Sequence, residues 1–125
     1  MFALSTGSVQ HPLILEDTLA ALNGDEVLLK TLVHMVLHQI AEEMPVIRSS
    51  VALRNTNSLK AASHRLKGVL GAIAATPAYE ACTALNRAAR IGVVESYAPS
   101  LAVLEVEIDR LFPCLSIWLA TQDKV

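Results

Sequence analysis

A histidine lies between lysines and glycines at helical spacing in the middle of this 125-residue chain. Lys60 comes four residues before His64, Lys67 follows it by three, and Gly68 and Gly71 follow by four and seven. At about 100° per residue, all four lie within roughly 60° of His64 on a helical wheel. If the segment is a helix, one stripe of it carries an imidazole, two ammonium groups and two positions without side chains.

The other side of the same segment is apolar. Six residues fall between roughly 140° and 240° from the histidine, which is the width of a face that packs against a core. They are Leu59, Ala62, Leu66, Val69, Leu70 and Ile73. The pattern therefore predicts that His64 points away from the protein interior.

The two glycines are unusual on an exposed helical face. A glycine inside a helix costs about 1 kcal/mol relative to alanine, and at the surface it gains nothing in packing. What it supplies is open space about one turn from the imidazole, where the surface of a partner can approach the ring. Lys67, also one turn from His64, can pair with an anion attached to that ring.

These residue types suit reversible phosphoryl transfer. An imidazole is largely neutral near pH 7 and is therefore nucleophilic. The phosphorus–nitrogen bond that it forms is labile enough for onward transfer to a carboxylate. A solvated histidine on an ordinary helix is the alternative interpretation of His64 alone, but the lysines and glycines on the same stripe favour a phosphoacceptor.

Two helices are predicted before this segment. A short helix covers Pro12–Leu22 and ends at Asn23-Gly24. A long helix follows, with Asp25 as its cap. Pro45 should bend the long helix without ending it, because its apolar stripe continues in phase. That stripe consists of Leu29, Val33, Val36, Ile40, Met44, Ile47 and Val51.

The histidine segment itself forms the third predicted helix, from about Ser58 to Ala74. Thr56 or Asn57 is available as its cap. The apolar face and the polar stripe described above both belong to this helix.

Two further helices are predicted after it. One covers roughly Pro77–Arg90, with Thr76 as its N-cap, and closes at Gly92. The other begins near Glu95–Pro99 and should bend at Pro113. Its apolar stripe consists of Leu101, Leu104, Ile108, Leu111, Leu115 and Trp118.

These elements predict an all-α fold, an antiparallel four-helix bundle with a short extra N-terminal helix. We expect the bundle to span residues 12–122. Residues 1–11 carry no helical pattern and are expected to form a flexible arm.

Composition excludes several classes of function. Apolar residues make up 53% of the chain and aromatic residues 4%, so the core must be aliphatic. A net charge of −2 gives no field for holding nucleic acid, and no uncharged helical stretch reaches the ~20 residues of a membrane span. Cys82 and Cys114 lie among apolar neighbours, which is typical of buried, reduced thiols in a cytoplasmic protein.

The segment His64-Arg65-Leu66-Lys67-Gly68 resembles the H-x-L-K-G signature of histidine-containing phosphotransfer (HPt) domains of bacterial phosphorelays. The similarity extends to the neighbouring helices and covers about residues 12–120. Asn23-Gly24-Asp25, Leu28-Leu29, Ile40 and Pro45 resemble the family's second helix, and Cys82-x-x-Leu85, Arg90 and Gly92 resemble its fourth.

The resemblance implies a phosphoryl carrier in two-component signalling. His64 accepts the phosphoryl group from a receiver-domain aspartate and passes it on, Lys67 supports the phosphate, and Gly68 leaves room for the receiver. The implied partners are response-regulator receiver domains and a hybrid sensor histidine kinase, with Mg²⁺ on the receiver and no cofactor or metal on this chain. We expect a monomer that contacts its partner through Lys60, Arg65 and Gly71.

The chain departs from the family pattern at four positions. The family often has glycine where this chain has Ala74, small residues where it has Val69 and Leu70, and glutamate where it has Asn86. Val69, Leu70 and Ala74 are predicted on or near the core side, so they should adjust packing. None of the four departures removes a group that the chemistry needs.

Two other interpretations use different features. A non-catalytic helical adaptor that binds receiver or kinase domains would keep the bundle without phosphotransfer, but it does not need His64 and Lys67 together. A divalent metal site could use His34, His38 and Glu42, which are four residues apart, although they lie on the polar side of their helix. No nucleotide-binding motif is present in the sequence, so the chain is not a kinase by itself.

Overall fold

The computed structural model describes residues 10–122, and within that range every regular element is helical. The all-α prediction is confirmed. The α-helices are α1 (Gln10–Ala21), α2 (Glu26–Leu53), α3 (Thr56–Ala72), α4 (Thr76–Ile91) and α5 (Tyr97–Gln122), with a short 3₁₀ turn at Val94–Ser96. None of the helices described is long and apolar enough to cross a bilayer.

Side-chain contacts show that α2 and α3 run antiparallel. The Ser50 hydroxyl on α2 donates to the Ser58 hydroxyl on α3 at 2.8 Å, and Arg65 on α3 donates to Glu43 on α2, also at 2.8 Å. A step of seven residues back along α2 thus matches a step of seven forward along α3. The two helices therefore lie side by side from Ser58 to Arg65, the part of α3 that includes His64.

The core lies among α2, α3, α4 and α5, where the apolar stripes meet. On α3, Leu59, Ala62, Leu66 and Leu70 are completely buried, as is the C-cap residue Ile73. The predicted core face is confirmed at these positions, whereas Val69 is only partly buried against the core. The prolines do not interrupt the helices, because α2 continues through Pro45 and α5 through Pro113.

Two of the helix caps agree with the sequence pattern. Asp25 accepts a hydrogen bond from the Leu28 backbone N–H at 3.0 Å, which confirms it as the cap of α2. Gly92 ends α4 with a φ of 88°, a left-handed conformation that glycine adopts at little cost.

Two other cap predictions are wrong by one or two residues. Asn55, not Thr56 or Asn57, caps α3, and its side chain accepts from the Ser58 backbone N–H at 3.1 Å. Thr76 is the first helical residue of α4, while Ala75 occupies the N-cap position without a capping side chain. Pro77, which lacks a backbone N–H, suits the first turn where that group has no helical partner.

The short helix α1 begins at Gln10 and packs near the end of α3. The Thr18 hydroxyl donates to the backbone carbonyl of Ile73 at 2.8 Å, and both are buried. This bond satisfies a carbonyl that the end of α3 would otherwise leave unpaired. Residues 1–9 of the predicted arm lie outside the described residues, and residues 10 and 11, also predicted to belong to the arm, are helical.

Ala74 has a backbone conformation that its residue type disfavours. Its φ is 58°, and the surrounding bonds from Ala74 N to Gly71 O and from Ala75 N to Leu70 O form a left-handed C-terminal turn of α3. The side chain is exposed, so the expectation that Ala74 adjusts core packing is wrong. The left-handed φ favours glycine at this position.

Ala74→Gly should therefore stabilise the protein. Relief of the left-handed strain outweighs the extra chain entropy of glycine, so we expect the free energy of unfolding to rise by about 0.5–1 kcal/mol. Urea denaturation measures this change. Ala102→Gly, on the exposed face of α5, is the matched control and should lower the same quantity by about 1 kcal/mol. A lower free energy of unfolding in Ala74→Gly would contradict the inference that Ala74 is strained.

Candidate functional site

The structure brings the predicted site residues together on the outer face of α3. His64, Lys60, Gly68 and Gly71 are exposed, and Lys67 is half-buried. The imidazole of His64 has no hydrogen-bond or ion-pair partner among residues 10–122. The ring is thus available to a molecule that approaches from outside.

Side chains of α4 form hydrogen bonds to the turn of α3 that precedes His64. The buried Asn86 amide donates to the Lys60 carbonyl at 3.1 Å and to the Ser63 hydroxyl at 3.0 Å. The Cys82 thiol donates to the Ser63 carbonyl at 3.3 Å. Since the Lys60 carbonyl also receives the His64 N–H in helical geometry, these bonds fix the turn from which the imidazole projects.

The other flank of α3 is held by α2. Arg65 donates two hydrogen bonds to the Glu43 carboxylate, at 2.8 and 3.1 Å, and these bonds raise the pKa of the guanidinium. Glu43 is buried, whereas the side chain of Arg65 is 52% exposed. The bidentate pair fixes the rotation of α3 against α2 and satisfies a carboxylate that would be costly to bury alone.

Asn86 and Glu43 were missed as positioning groups by sequence reasoning. Asn86 stood out only as a departure from a family pattern, and Glu43 is one charge beside the apolar stripe of α2. A polar residue at the edge of an apolar stripe is a signal for a buried polar contact, but it does not identify the partner.

The two glycines of the stripe have different surroundings. A Cβ atom on Gly68 would have no heavy atom within 4 Å, so this position opens onto free space. A Cβ on Gly71 would lie 3.2 and 3.3 Å from ring carbons of Tyr79 on α4. The expectation that both glycines gain nothing in packing is therefore wrong for Gly71, which makes room for the tyrosine ring.

Lys67 lies on the α4 side of the stripe, near the Cys82 thiol. Burial raises the pKa of Cys82 to about 12, and the positive charge of Lys67 opposes that rise. Cys82 therefore stays protonated at neutral pH and acts as a hydrogen-bond donor, not as a nucleophile. The imidazole of His64, in contrast, is exposed on the outer face of α3.

The alternative metal ligands do not form a recognisable site. His34, His38 and Glu42 are all exposed on α2. Within residues 10–122, no group of three or more histidine, cysteine, aspartate or glutamate side chains is arranged to hold a metal ion.

Comparison with protein families assigns most of the chain. The family model of the Hpt domain matches residues 31–112, a span that runs from α2 to α5 and includes the whole of α3. No curated protein and no solved structure matches the chain significantly.

The contact between Gly71 and Tyr79 predicts unequal effects of alanine at the two glycines. Gly68→Ala should raise the free energy of unfolding by nearly 1 kcal/mol, because alanine favours the helix and displaces nothing. Gly71→Ala should raise the free energy of unfolding by less, because the Tyr79 ring must move to make room for the new methyl group. Urea denaturation of both variants, repeated with Tyr79→Ala present, tests the contact. When the Tyr79 ring is absent, the gain in free energy of unfolding from Gly71→Ala should increase, whereas the gain from Gly68→Ala should stay the same. If the gain from Gly71→Ala is the same with and without the ring, the contact is contradicted.

Proposed function

Because the chain belongs to the Hpt domain family, which acts in phosphotransfer of two-component signalling, we propose that His64 is its phosphoacceptor. The protein accepts a phosphoryl group from a receiver-domain aspartate and relays it to another receiver. The observation that carries this proposal is the exposed imidazole of His64, which has no partner among the described residues, with Lys67 and Gly68 one turn away on the same face.

The chemistry of the step follows from the groups present. A ring nitrogen of His64 attacks the phosphorus of the aspartyl phosphate, and a P–N bond forms as the P–O bond to the aspartate breaks. The electron pair of the broken bond returns to the aspartate carboxylate. The other ring nitrogen keeps its proton, and transfer to the next receiver reverses the same bonds.

The neighbouring residues have distinct roles in this proposal. The Lys67 ammonium offsets charge on the transferring phosphoryl oxygens. Gly68 leaves the space through which the receiver backbone approaches, as the empty surroundings of its Cβ position support. Lys60 and the exposed half of Arg65 contact the partner, and Gly71 does so together with the Tyr79 ring that covers it.

Receiver domains dock on α2 and α3. Leu28, Met35 and Val46 support this placement, because they form an exposed apolar stripe on α2 close to the side that meets α3. Such a stripe next to a polar reactive group is typical of protein–protein interfaces. A hybrid sensor kinase supplies the phosphoryl group through its receiver.

The remaining features of the proposal concern the setting of the relay. The receiver holds the Mg²⁺ ion, and this chain works as a monomer in the cytoplasm. Cys82 and Cys114 are buried and not joined in a disulfide, which supports a reducing compartment. A panel of phosphorylated receiver domains would identify the cognate partner and would separate a carrier from a non-catalytic adaptor, which binds receivers without taking up phosphate.

His64→Gln should abolish phosphate uptake from a phosphorylated receiver and leave the fold unchanged. Because the ring is exposed and unpartnered, the free energy of unfolding should change by no more than about 0.5 kcal/mol. Radiolabelled phosphate measures uptake, and the bond in the unaltered protein should be acid-labile and stable to alkali. His38→Gln, an exposed histidine on α2, should take up phosphate normally. Uptake by His64→Gln would assign the phosphoryl group to another residue.

Gly68→Leu should block the approach of the receiver to His64 without lowering the stability of the protein. The leucine side chain enters open space, so the melting temperature should hold or rise, while phosphoryl transfer should fall because the receiver can no longer approach the ring. A melting curve and a transfer assay on the same preparation measure the two effects. Gly68→Ala, which adds one methyl group, should lose less transfer. If Gly68→Leu transfers phosphate at the rate of the unaltered protein, Gly68 is not needed for the approach of the receiver.

A further inference from the structure

Charge is distributed unevenly along this acidic chain. Residues 55–92, which comprise α3, α4 and their connection, contain five of the ten lysines and arginines but only one of the twelve aspartates and glutamates. Their net charge is +4, and the rest of the chain carries −6. The α3–α4 hairpin therefore has a net positive charge, whereas the rest of the chain has a net negative charge.

Most of the positive charge on this hairpin has no counterion among the residues that the structure describes. Elsewhere, Arg48 pairs with Glu105 at 2.7 Å and Arg110 with Glu107 at 3.5 Å. On the hairpin, Arg65 is paired with Glu43. The other four cations have no carboxylate partner among the described residues, and we call them the cationic face: Lys60, Lys67, Arg87 and Arg90.

The cationic face lies beside His64. Lys60 and Lys67 are one turn before and one turn after the histidine on α3. The Cys82 thiol meets the Ser63 carbonyl and the Asn86 amide meets the Lys60 carbonyl, so α4 runs antiparallel to α3. Arg87 therefore lies at the level of Lys60, and Arg90 lies about one turn of helix farther from His64. Both arginines are exposed.

Unpaired like charges on adjacent helices repel each other and add nothing to the fold. They do create a local positive potential that accelerates association with a negatively charged surface. The phosphoryl group that arrives at His64 in the proposed function is itself such a charge, since a singly substituted phosphate carries about −1.5 to −2 at neutral pH.

We propose that the cationic face docks the acidic surface around the phosphorylated aspartate of the receiver. The interface then includes α4 as well as α2 and α3. This inference rests on the proposed function and specifies the chemistry of the partner surface. Lys67 serves the transferring phosphoryl group, whereas Arg87 and Arg90 act earlier, on encounter.

The test uses the full chain and the receiver domain that transfers fastest in a panel phosphorylated with acetyl phosphate. For the unaltered protein, kcat/KM should fall as ionic strength rises. In the double variant Arg87→Gln/Arg90→Gln, kcat/KM at low ionic strength should fall about tenfold and depend less on salt. The rate at saturating receiver should change less than twofold, because the arginines do not touch the reacting atoms.

Arg54→Gln is the matched control, because Arg54 is an exposed arginine without a carboxylate partner at the end of α2, outside the cationic face. It should retain both the rate and the salt dependence. A melting curve checks that the double variant is folded, as expected for two exposed positions.

Three results would overturn the inference. If the unaltered protein accepts phosphate and the double variant keeps its salt dependence, the docking surface is wrong and the proposed function stands. If the double variant loses binding to mixed-sequence RNA or DNA while receiver kinetics are unchanged, the face serves nucleic acid. If no receiver in the panel phosphorylates the unaltered protein, the proposed function fails and the docking surface fails with it.

Discussion

Glu43 and Asn86 hold α3 from two sides, and the direction in which His64 projects depends on these contacts. The Glu43 carboxylate meets Arg65 from α2, and the Asn86 amide meets the turn before His64 from α4. Both polar groups are buried, so each is costly if its partner moves away. Rotation of α3 about its axis would break both sets of bonds and expose its apolar face. A single rotation therefore satisfies the core and both polar contacts, and it places the imidazole outside.

Separation of the two faces of α3 lets the site change its charge without disturbing the fold. The core face is completely buried, while His64 and Gly68 on the opposite face have no contact that the fold requires. A phosphoryl group added to the ring would therefore meet solvent, Lys67 and the partner, but not the hydrophobic core. A carrier that must cycle between two charge states benefits from this arrangement, because neither state has to reorganise the interior.

The sequence was sufficient to predict features that depend on one helix at a time. The apolar face of α3, the outward direction of His64, the Asp25 cap and the end of α4 at Gly92 all follow from local spacing and residue type. The features that it did not predict arise between helices. The pair of Glu43 and Arg65 joins residues 22 apart in sequence, and the ring over Gly71 comes from another helix. Periodicity assigns a residue to a face but does not identify its partner there.

At positions 68 and 74 the chain has a residue that the local backbone conformation disfavours. Position 68 has glycine within a regular helix, and position 74 has alanine at a left-handed φ. At Gly68 the backbone is ordinary helix and a Cβ would meet nothing, so the fold itself favours alanine there. At position 74 the left-handed φ favours glycine, yet the chain has alanine. The residue at position 74 can be suboptimal because the α3–α4 turn is formed by backbone bonds and tolerates the strain. The glycine at position 68 has no such explanation within the molecule. In the proposed function, a receiver that approaches the imidazole one turn away requires this open space.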